Sequence, residues 1–394
     1  MISQTTTFST EEMGISAINE NHHKVDSNLE KLLDLFSELT AIKALSKNER
    51  KIADILTHRF LERRFTVLED DTAKKIGGNA GNLLVFPPQF DKEKPATVFT
   101  AHLDTARSTE NVQVIRHSDR VSSDGNQQLG VDNRAGLSIL SVLLENQLEF
   151  KLEEINYFCV FTVAEEIGLL GAYQVDLFPY KIESLYVFDS AMRPGNYISE
   201  CAGMYLFEVS VKGKAAHSAV APEMGRSAIR AASEMISSIE FGRMGEFITT
   251  NVGLIKGGDA TNVIAPECVF EGEVRSLSIA EIEIFLEKYK LHFSQISKKH
   301  GVEMNFKATK DFNPYLIGAD HPLRIRLEKA MKNASLIPIP NRYTGGSDAN
   351  VYNEKGLAAI NLGIGAQNPH GNDEFMLYED FESVLRLAIE ILKS

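Results

Sequence analysis

The sequence predicts an α/β domain that is interrupted by an inserted α+β domain. Two observations support this prediction. Short apolar stretches rich in β-branched and aromatic residues alternate with helical patterns, as in an α/β sheet. Between about residues 203 and 314 the pattern changes to a β-α-β-β-α-β order, which is the split βαβ motif. We therefore expect a main domain from residues 1–202 and 315–394, and an inserted domain from residues 203–314.

The helices are predicted from apolar periodicity. Residues 1–25 are polar and uninformative, but from Asp26 apolar side chains recur at helical spacing, so a first helix is expected to begin there. A second helix is expected after Ser46, because Ser46 and Glu49 have the spacing of a capping box. Further helices are predicted at 134–148, 322–333 and 379–393.

Four short apolar stretches are predicted to be buried strands, and each of them ends in a polar or acidic cluster. They are NLLVF (82–86), ATVFTAHLD (96–104), YFCVFTVAEE (157–166) and SLYVFDS (184–190). Open α/β sheets bind ligands at the edge where the polar ends of their strands gather. We therefore expect a functional site at that edge.

The composition excludes several classes of protein. With 394 residues, 43% apolar and 24% charged, the chain has ordinary globular usage and room for two or three domains. Its 41 basic and 54 acidic residues give a formal charge of −13, which would repel a nucleic-acid backbone. The three scattered cysteines fit neither a disulfide framework nor a thiolate metal motif, and no apolar run approaches the ~20 residues of a membrane span. We expect a cytoplasmic protein with no nucleic-acid or membrane partner.

Two strand ends carry pairs of residues that suit a metal site. His102 and Asp104 are two residues apart, so their side chains point to the same side of a strand and can meet one ion. Glu165 and Glu166 follow another strand, where two adjacent carboxylates are costly unless a cation compensates them. Because adjacent side chains diverge, one glutamate can bind an ion while the other moves protons.

Three further residues extend this set, although each also has an ordinary interpretation. Asp132 lies in the glycine-bounded turn GVDNRAG, where a helix cap is the favoured role of the residue taken alone, while Asp189 ends the strand SLYVFDS. His370, in NPHGNDEF, could be an ordinary loop residue. If Asp132 bridges two ions, each ion receives one histidine, the shared aspartate and one further acid. Mixed nitrogen and oxygen ligands favour zinc, with cobalt or manganese as alternatives. The five candidate ligands are His102, Asp132, Glu166, Asp189 and His370.

The motifs AHLDT, GVDNRAG, AEE, FDS, GKAAHS and GGSDAN resemble the di-zinc metallopeptidase family of aminoacylase, carboxypeptidase and peptidase T, and peptidase T most of all. The resemblance runs from about residue 28 to the C-terminus. It implies that the inserted domain is a lid or dimerisation domain and that the protein is a homodimer. It also implies that His102 and Asp189 hold one metal ion, that Glu166 and His370 hold the other, and that Asp132 holds both.

The resemblance implies further roles for matching residues. Asp104 would orient His102, and Glu165 would be the general base. His217 would stabilise the oxyanion, often from across a dimer interface, although a strand-end histidine is the ordinary interpretation. Asn262 and Arg275 match substrate-contacting positions, and a structural Arg275 is an equally good interpretation of the chemistry alone. The turn at Gly345, Gly346 and Ser347, which precedes Asp348, is expected to shape the pocket.

Two departures from the family pattern bear on function. The bridging motif reads Asp-Asn-Arg, where relatives commonly have lysine at the third position, and Asp189 is more typical of aminopeptidases and dipeptidases than of deacylases. We expect a two-metal amide hydrolase that removes the N-terminal residue of a short peptide. The alternatives are a deacylase of N-acyl amino acids or a carboxypeptidase, and a non-catalytic peptide-binding protein. The presence of Glu165 argues against the last alternative, since a binding protein needs no free base.

Overall fold

The described part of the chain covers residues 15–394, with side-chain surroundings from residue 28 onward, and comes from a computed structural model. Residues 1–14 of the uninformative segment 1–25 lie outside the described residues. The helices, in chain order, are α1 (Ile15–Thr40), α2 (Arg50–Leu61), α3 (Thr72–Ile76), α4 (Val131–Glu145), α5 (Leu170–Gln174), α6 (Ala228–Ser237), α7 (Ile279–His300), α8 (Pro322–Asn333), α9 (Asp348–Glu354) and α10 (Tyr378–Lys393).

The strands fall into three sheets. In chain order they are β1 (Thr66–Glu69), β2 (Leu83–Phe86), β3 (Ala96–His102), β4 (Ile115–Arg116), β5 (Arg120–Ser122), β6 (Tyr157–Thr162), β7 (Ile182–Ser190), β8 (Asn196–Cys201), β9 (Gly203–Lys212), β10 (Gly242–Arg243), β11 (Thr249–Gly257), β12 (Glu267–Ser276), β13 (Glu303–Phe312), β14 (Tyr315–Leu316), β15 (Ile339–Tyr343), β16 (Ala359–Gly363) and β17 (Phe375–Leu377). The four strands predicted from the first half of the chain are confirmed as β2, β3, β6 and β7.

A nine-stranded sheet forms the centre of the main domain, in the order β1-β2-β6-β3-β7-β16-β8-β14, with β15 also paired to β8. Strand β3 runs parallel to both β6 and β7, whereas β2 is antiparallel to β6. The carboxyl ends of β3, β6 and β7 therefore meet at one edge of the sheet. The gathering of strand ends at one edge is as predicted, and the sheet that carries them is mixed.

The strands under this edge rest on a tightly packed core. Both β3 and β6 are buried along their whole length, because α4 packs on the sheet and is itself covered by α1 and α10. Phe99 and Phe188, from neighbouring strands, make an edge-to-face contact with ring centroids 5.0 Å apart. Each such buried ring contributes about 1.5–3 kcal/mol to folding. The side chains at the strand ends are therefore carried by a rigid platform.

The inserted domain has its own sheet and its own core. Its strands have the order β10-β11-β12-β9-β13 and are all antiparallel. Helices α6 and α7 cover one face, where Phe207, Phe270 and Phe293 lie in a separate hydrophobic cluster. The predicted β-α-β-β-α-β order is confirmed, with the two-residue β10 as an addition. The exact boundaries at residues 203 and 314 stay a prediction.

The structure differs from the expectations in three places. Helix α1 begins at Ile15, before the predicted start at Asp26. The prediction missed this part of the helix because the mostly polar sequence before Asp26 shows no sustained apolar periodicity. Helix α4 ends at Glu145 rather than at residue 148; at its start Asp132 and Asn133 are not helical, so regular helical geometry begins at Arg134 as predicted. The small sheet of β4, β5 and β17 was not predicted, since strands of two or three residues give no measurable alternation. Across the described residues, no helix has both the length and the apolar character needed to cross a bilayer.

Candidate metal centre

The five predicted metal ligands come from five separate parts of the main domain. His102 is the last residue of β3, Asp189 lies near the end of β7, and Glu166 follows β6. Asp132 lies at the start of α4, where the main-chain N–H of Gly136 donates to Oδ1 of Asn133 (3.1 Å), so Asn133 caps the helix. The interpretation of Asp132 as a helix cap is therefore wrong. His370 lies in the loop between β16 and β17.

The structure brings all five side chains together around Asp132. Its Oδ1 atom lies 3.0 Å from Nε2 of His102, and its Oδ2 atom lies 3.3 Å from Nε2 of His370. The Nε2 atom of His102 also lies 3.2 Å from Oδ1 of Asp189, and that of His370 lies 3.4 Å from Oε1 of Glu166. Two histidine-carboxylate pairs therefore share one aspartate. That each pair binds an ion, with Asp132 as the common ligand, stays a prediction.

These donor atoms fit divalent metal ions. Ligands about 2.0–2.1 Å from a tetrahedral zinc ion lie about 3.3 Å from one another, close to the separations found here. The ligand atoms of His102, Asp132 and Glu166 lie within 4.8 Å of one another. The two histidine-carboxylate pairs therefore lie next to each other. Neutral imidazoles and carboxylates together are the ligand types of hydrolytic zinc centres.

The electrostatics of the cluster show how strongly it attracts positive charge. Burial lowers the pKa of His102, but hydrogen bonds with Asp104, Asp132 and Asp189 outweigh burial and hold this pKa well above its usual value. Hydrogen bonds with Asp132 and Glu166 raise the pKa of His370 to about 10. Burial and the charge of Asp132 raise the pKa of Asp189 to about 6. A divalent cation would relieve this crowding of carboxylates.

Asp104 is fully buried and makes more contacts than the sequence suggested. The Nδ1 atom of His102 lies 3.0 Å from the main-chain oxygen of Asp104 and 3.3 Å from its Oδ1 atom, so Asp104 is placed to orient that ring. It also accepts hydrogen bonds from the main-chain N–H groups of Glu165 (3.1 Å) and Glu166 (3.2 Å) and from the hydroxyl of Ser46 (2.6 Å). One carboxylate thus links the ring of His102 to the backbone of the Glu165–Glu166 pair.

Glu49 extends this support, and sequence reasoning missed it. Its Oε1 atom accepts hydrogen bonds from the main-chain N–H groups of Ala164 (2.9 Å) and Lys47 (2.8 Å). Three successive amides, 164–166, are therefore held by the carboxylates of Glu49 and Asp104. The predicted capping box is wrong, because Ser46 donates to Asp104 and Glu49 occupies the N-cap position of α2 with its side chain turned toward Ala164. The capping-box spacing carries no information about such a distant partner.

Glu165 lies beside the candidate metal ligands, and its carboxylate is not bound by a neighbouring group of the described residues. Among the described residues, no hydrogen bond or ion pair of its side chain is found, whereas Glu166 is engaged by His370 and by the N–H of Ala106 (3.0 Å). Burial raises the pKa of Glu165 well above its usual value; His102 opposes this rise, and Asp189 and Asp348 add to it. A half-buried carboxylate with a raised pKa is suited to accept a proton.

Other residues that fix the ligands gave no signal in the sequence. Glu374, buried, accepts hydrogen bonds from the N–H groups of Gly130 (2.6 Å) and Asp132 (3.3 Å), so it fixes the entry to α4. Asn361, on β16, donates to Oδ2 of Asp189 at 3.4 Å. Both act through residues far away in the sequence, which local patterns do not reveal.

Arg134 explains the unusual Asp-Asn-Arg motif. Its fully buried guanidinium group donates hydrogen bonds to the main-chain oxygens of Leu103 (2.6 Å) and Ile42 (3.2 Å). Burial lowers its pKa to about 10, and the charges of Asp104 and Glu49 act against this lowering. Arg134 therefore holds the main chain between His102 and Asp104 and offsets the buried carboxylates.

A pocket of about 330 Å³ connects the candidate metal centre with the inserted domain. Arg275 lines this pocket, with its guanidinium group bound to both carboxylate oxygens of Glu273 (2.9 and 3.1 Å) and to the main-chain oxygen of Thr344 (3.2 Å). Gly345 and Gly346 also line it. A Cβ atom on Gly346 would lie 2.2 Å from the ring of Phe312, so only glycine fits there. The turn shapes the pocket wall as expected.

His217 and Asn262 lie together on the exposed surface of the inserted domain. The main-chain N–H of Ser218 donates to the main-chain oxygen of Asn262 (3.0 Å), and His217 forms a β-bridge with Val263. Among the described residues, those that line the pocket do not include His217 or Asn262. Within one chain, their predicted roles at the site therefore have no direct contact to support them.

Comparisons with known proteins identify the family. Residues 202–301 match the peptidase dimerisation domain, and residues 110–197 match the M42 glutamyl aminopeptidase family. The uncharacterized protein YqjE of Bacillus subtilis is 31% identical over 371 residues, which cover 93% of this chain and 98% of that protein. The chain belongs to the M20 peptidase family.

Two solved structures agree with this assignment. The M20 peptidase chain described here aligns with aminopeptidase PepT from Bacillus cereus with a TM-score of 0.80, and with a tripeptidase from Staphylococcus aureus with a TM-score of 0.84. Each is 28% identical, over 93% of this chain and 98% of its own. The resemblance to the family of aminoacylase, carboxypeptidase and peptidase T is therefore confirmed, and the chain is a peptide hydrolase of the metallopeptidase type.

Proposed function

We propose that this M20 peptidase is a two-metal aminopeptidase that removes the N-terminal residue of short peptides, tripeptides in particular. The observation that carries the proposal is the position of Asp132 between two histidine-carboxylate pairs, beside the uncommitted carboxylate of Glu165. The similarity to aminopeptidase PepT and to a tripeptidase supports the choice of substrate.

We assign one ion to His102, Asp132 and Asp189, and the other to His370, Asp132 and Glu166. Zinc suits these ligands best, with cobalt or manganese as alternatives. When bound, such a pair of ions polarises a carbonyl group and makes water a better nucleophile at neutral pH. Three protein ligands for each ion leave room for water and substrate.

The chain's own residues supply the proton transfer and the alignment. Glu165 takes a proton from the attacking water and passes it to the departing amine. Asp104 accepts from Nδ1 of His102, which leaves Nε2 of that ring to face the ions. Glu49 and Asp104 hold the amides of residues 164–166, so the base and its neighbouring ligand keep a fixed relative position.

We further propose that the chain forms a homodimer through the inserted domain, which matches a peptidase dimerisation domain. His217 and Asn262 would then contact the substrate in the pocket of the other subunit, where the imidazole can stabilise the oxyanion. Arg275 lines the pocket of its own subunit and would contact the substrate there, next to its partner Glu273. The three cysteines are free and buried, which supports a reducing, cytoplasmic location.

Turnover of a substrate panel by the metal-loaded protein tests this proposal. The panel contains tripeptides, dipeptides, N-acyl amino acids and peptides with a blocked N-terminus. We expect cleavage after the first residue of the free tripeptides, and loss of turnover after chelation that is restored by added zinc. Turnover confined to N-acyl compounds, or release of the C-terminal residue, would instead favour a deacylase or a carboxypeptidase. Protein that retains two ions and cleaves nothing would favour the peptide-binding alternative.

A further inference from the structure

One carboxylate of the pocket has no task in the proposed mechanism. Of the acids that line it, Asp132, Glu166 and Asp189 are assigned to the metal ions and Glu165 to proton transfer. The remaining one is Asp311, from the inserted domain. Across residues 28–394, no hydrogen bond or ion pair of the Asp311 side chain is found. The arginine that lines the same pocket, Arg275, is already bound on two nitrogens by Glu273.

The fold directs Asp311 into the pocket by a local irregularity. Strand β13 pairs in register with β9 as far as Lys310, opposite Tyr205, and the pairing resumes with Phe312 opposite Met204. Asp311 is the extra residue between these pairs, as in a β-bulge, and bulges commonly re-aim a side chain next to a functional site. The main-chain oxygen of Asp311 accepts a hydrogen bond from the hydroxyl of Tyr173 at 2.5 Å, which anchors the bulge to the main domain.

The carboxylate of Asp311 faces the loop that carries the proposed base. Gly168 follows Glu166 by two residues and has a φ of 107°. A Cβ atom built on Gly168 would lie 3.3 Å from Oδ1 of Asp311, so a side chain there would fill the space in front of the carboxylate. Glycine keeps this space open between Asp311 and the Glu165–Glu166 loop.

The charges around Asp311 act on it in opposite directions. Burial raises the pKa of Asp311; Arg275 lowers it, and Glu273, which binds Arg275, raises it. A positively charged group next to a half-buried carboxylate favours its ionised form and makes a charge-assisted hydrogen bond with it. A peptide substrate carries such a group at its free N-terminus and on its basic side chains.

We propose that Asp311 binds a cationic group of the peptide substrate, namely its free α-ammonium group or a basic side chain. This inference rests on the proposed function and adds a specificity-determining residue to it. An N-acyl amino acid has no α-ammonium group, so binding of that group by Asp311 would separate an aminopeptidase from a deacylase. A basic side chain would instead give a preference for lysine or arginine.

The variant Asp311→Asn tests the proposal, because asparagine keeps the shape and removes the charge. Four ligands are compared: Leu-Gly-Gly, Lys-Gly-Gly, norleucyl-Gly-Gly, and N-acetyl-Leu-Gly-Gly as a competitive inhibitor. If Asp311 binds the α-ammonium group, KM rises about tenfold to a hundredfold for all three free peptides, with kcat changed little and Ki of the acetylated peptide unchanged. If it binds a side chain, the rise is confined to Lys-Gly-Gly. Asp311→Glu should restore part of the loss.

The control variant is Glu303→Gln, which removes an exposed carboxylate from the other end of β13. It should change none of the four constants. Asp311→Asn with KM values and Ki equal to those of the wild type would overturn the inference while leaving the proposed function intact. Wild-type protein that cleaves none of the free peptides would overturn the proposed function itself. Should Asp311→Asn not fold, Asp311→Ser is measured with the same four ligands, and the same outcomes support or overturn the inference.

Discussion

His102 and His370 face the same aspartate from very different surroundings. His102 is 2% exposed, ends a buried strand and is oriented by Asp104, which is itself fully buried. The side chain of His370 is 46% exposed and belongs to a loop, where its φ of 65° is unusual for a residue other than glycine. We call His102 and Asp189 the buried half of the metal centre, and His370 and Glu166 the loop half.

The loop that carries His370 is held in place by a few main-chain and side-chain hydrogen bonds. Gln367 and Phe375 bind each other through two main-chain hydrogen bonds (2.9 and 3.1 Å), which close the loop around His370. Arg107 donates to the main-chain oxygen of His370 (3.0 Å) and to the side chain of Asn372 (3.1 Å). These few exposed contacts replace the core packing beneath His102, so we expect the two ions to bind unequally.

The largest expected effect concerns Glu165, the proposed base, which is a ligand in neither half. Glu165→Gln keeps the shape of the side chain but removes its ability to accept a proton, so kcat should fall by about 10²- to 10⁴-fold. Both ions should remain, because Glu165 is not one of the assigned ligands. Steady-state kinetics and metal analysis on the same sample measure the two quantities. A variant with unchanged kcat would show that Glu165 is not the base.

Replacing each histidine tests directly whether the two ions bind unequally. His102→Ala leaves buried carboxylates without their partner, so it should lower the free energy of unfolding by about 3 kcal/mol and reduce the metal content below one ion per chain. His370→Ala should lose one ion, keep the other, and change stability by less than about 1 kcal/mol. Elemental analysis after dialysis and denaturant unfolding provide the measurements. Equal metal loss in both variants would contradict the comparison of the two halves.

The same contrast explains what the sequence could and could not predict. His102, Glu166 and Asp189 were predictable because parallel strands bring their carboxyl ends to one edge, and each residue sits directly at or after a strand. His370 and Asp132 required the chemistry of a ligand set and the family resemblance. Glu49 was misread, since its partner Ala164 is 115 residues away and no local pattern records a tertiary hydrogen bond. Asp311 depends on a bulge, which strand periodicity does not reveal.

A third prediction tests whether Glu49 positions the backbone that leads into the Glu165–Glu166 pair. Glu49→Ala removes the acceptor for the N–H of Ala164, so the loop of Glu165 should shift and kcat should fall about tenfold. Glu49→Gln retains a side-chain oxygen at the same place, so it should keep most of the activity. The metal content should remain near that of the wild type in both.

The kinetics of these two variants are compared with those of Glu62→Ala, which removes an exposed carboxylate just after α2. That control should behave as the wild type. Full kcat in Glu49→Ala would show that the hydrogen bond from Ala164 to Glu49 does not position the base. Equal loss in the alanine and glutamine variants would mean that the charge of Glu49, rather than its hydrogen bond, supports the site.

The smallest expected effect lies in the loop half. Arg107→Ala removes the two hydrogen bonds that Arg107 makes to the loop of His370, and exposed bonds of this kind contribute about 0.5–1.5 kcal/mol together. The affinity for the more weakly bound ion should therefore fall about threefold to tenfold, while the other ion is unaffected. Zinc titration into dialysed protein, followed by calorimetry, measures both affinities.

Arg63→Ala is the matched control, because Arg63 is also exposed and also donates to a main-chain oxygen, that of Arg59. A loss of the tightly bound ion in Arg107→Ala would mean that the two halves are coupled through Asp132, and the simple division between them would no longer hold.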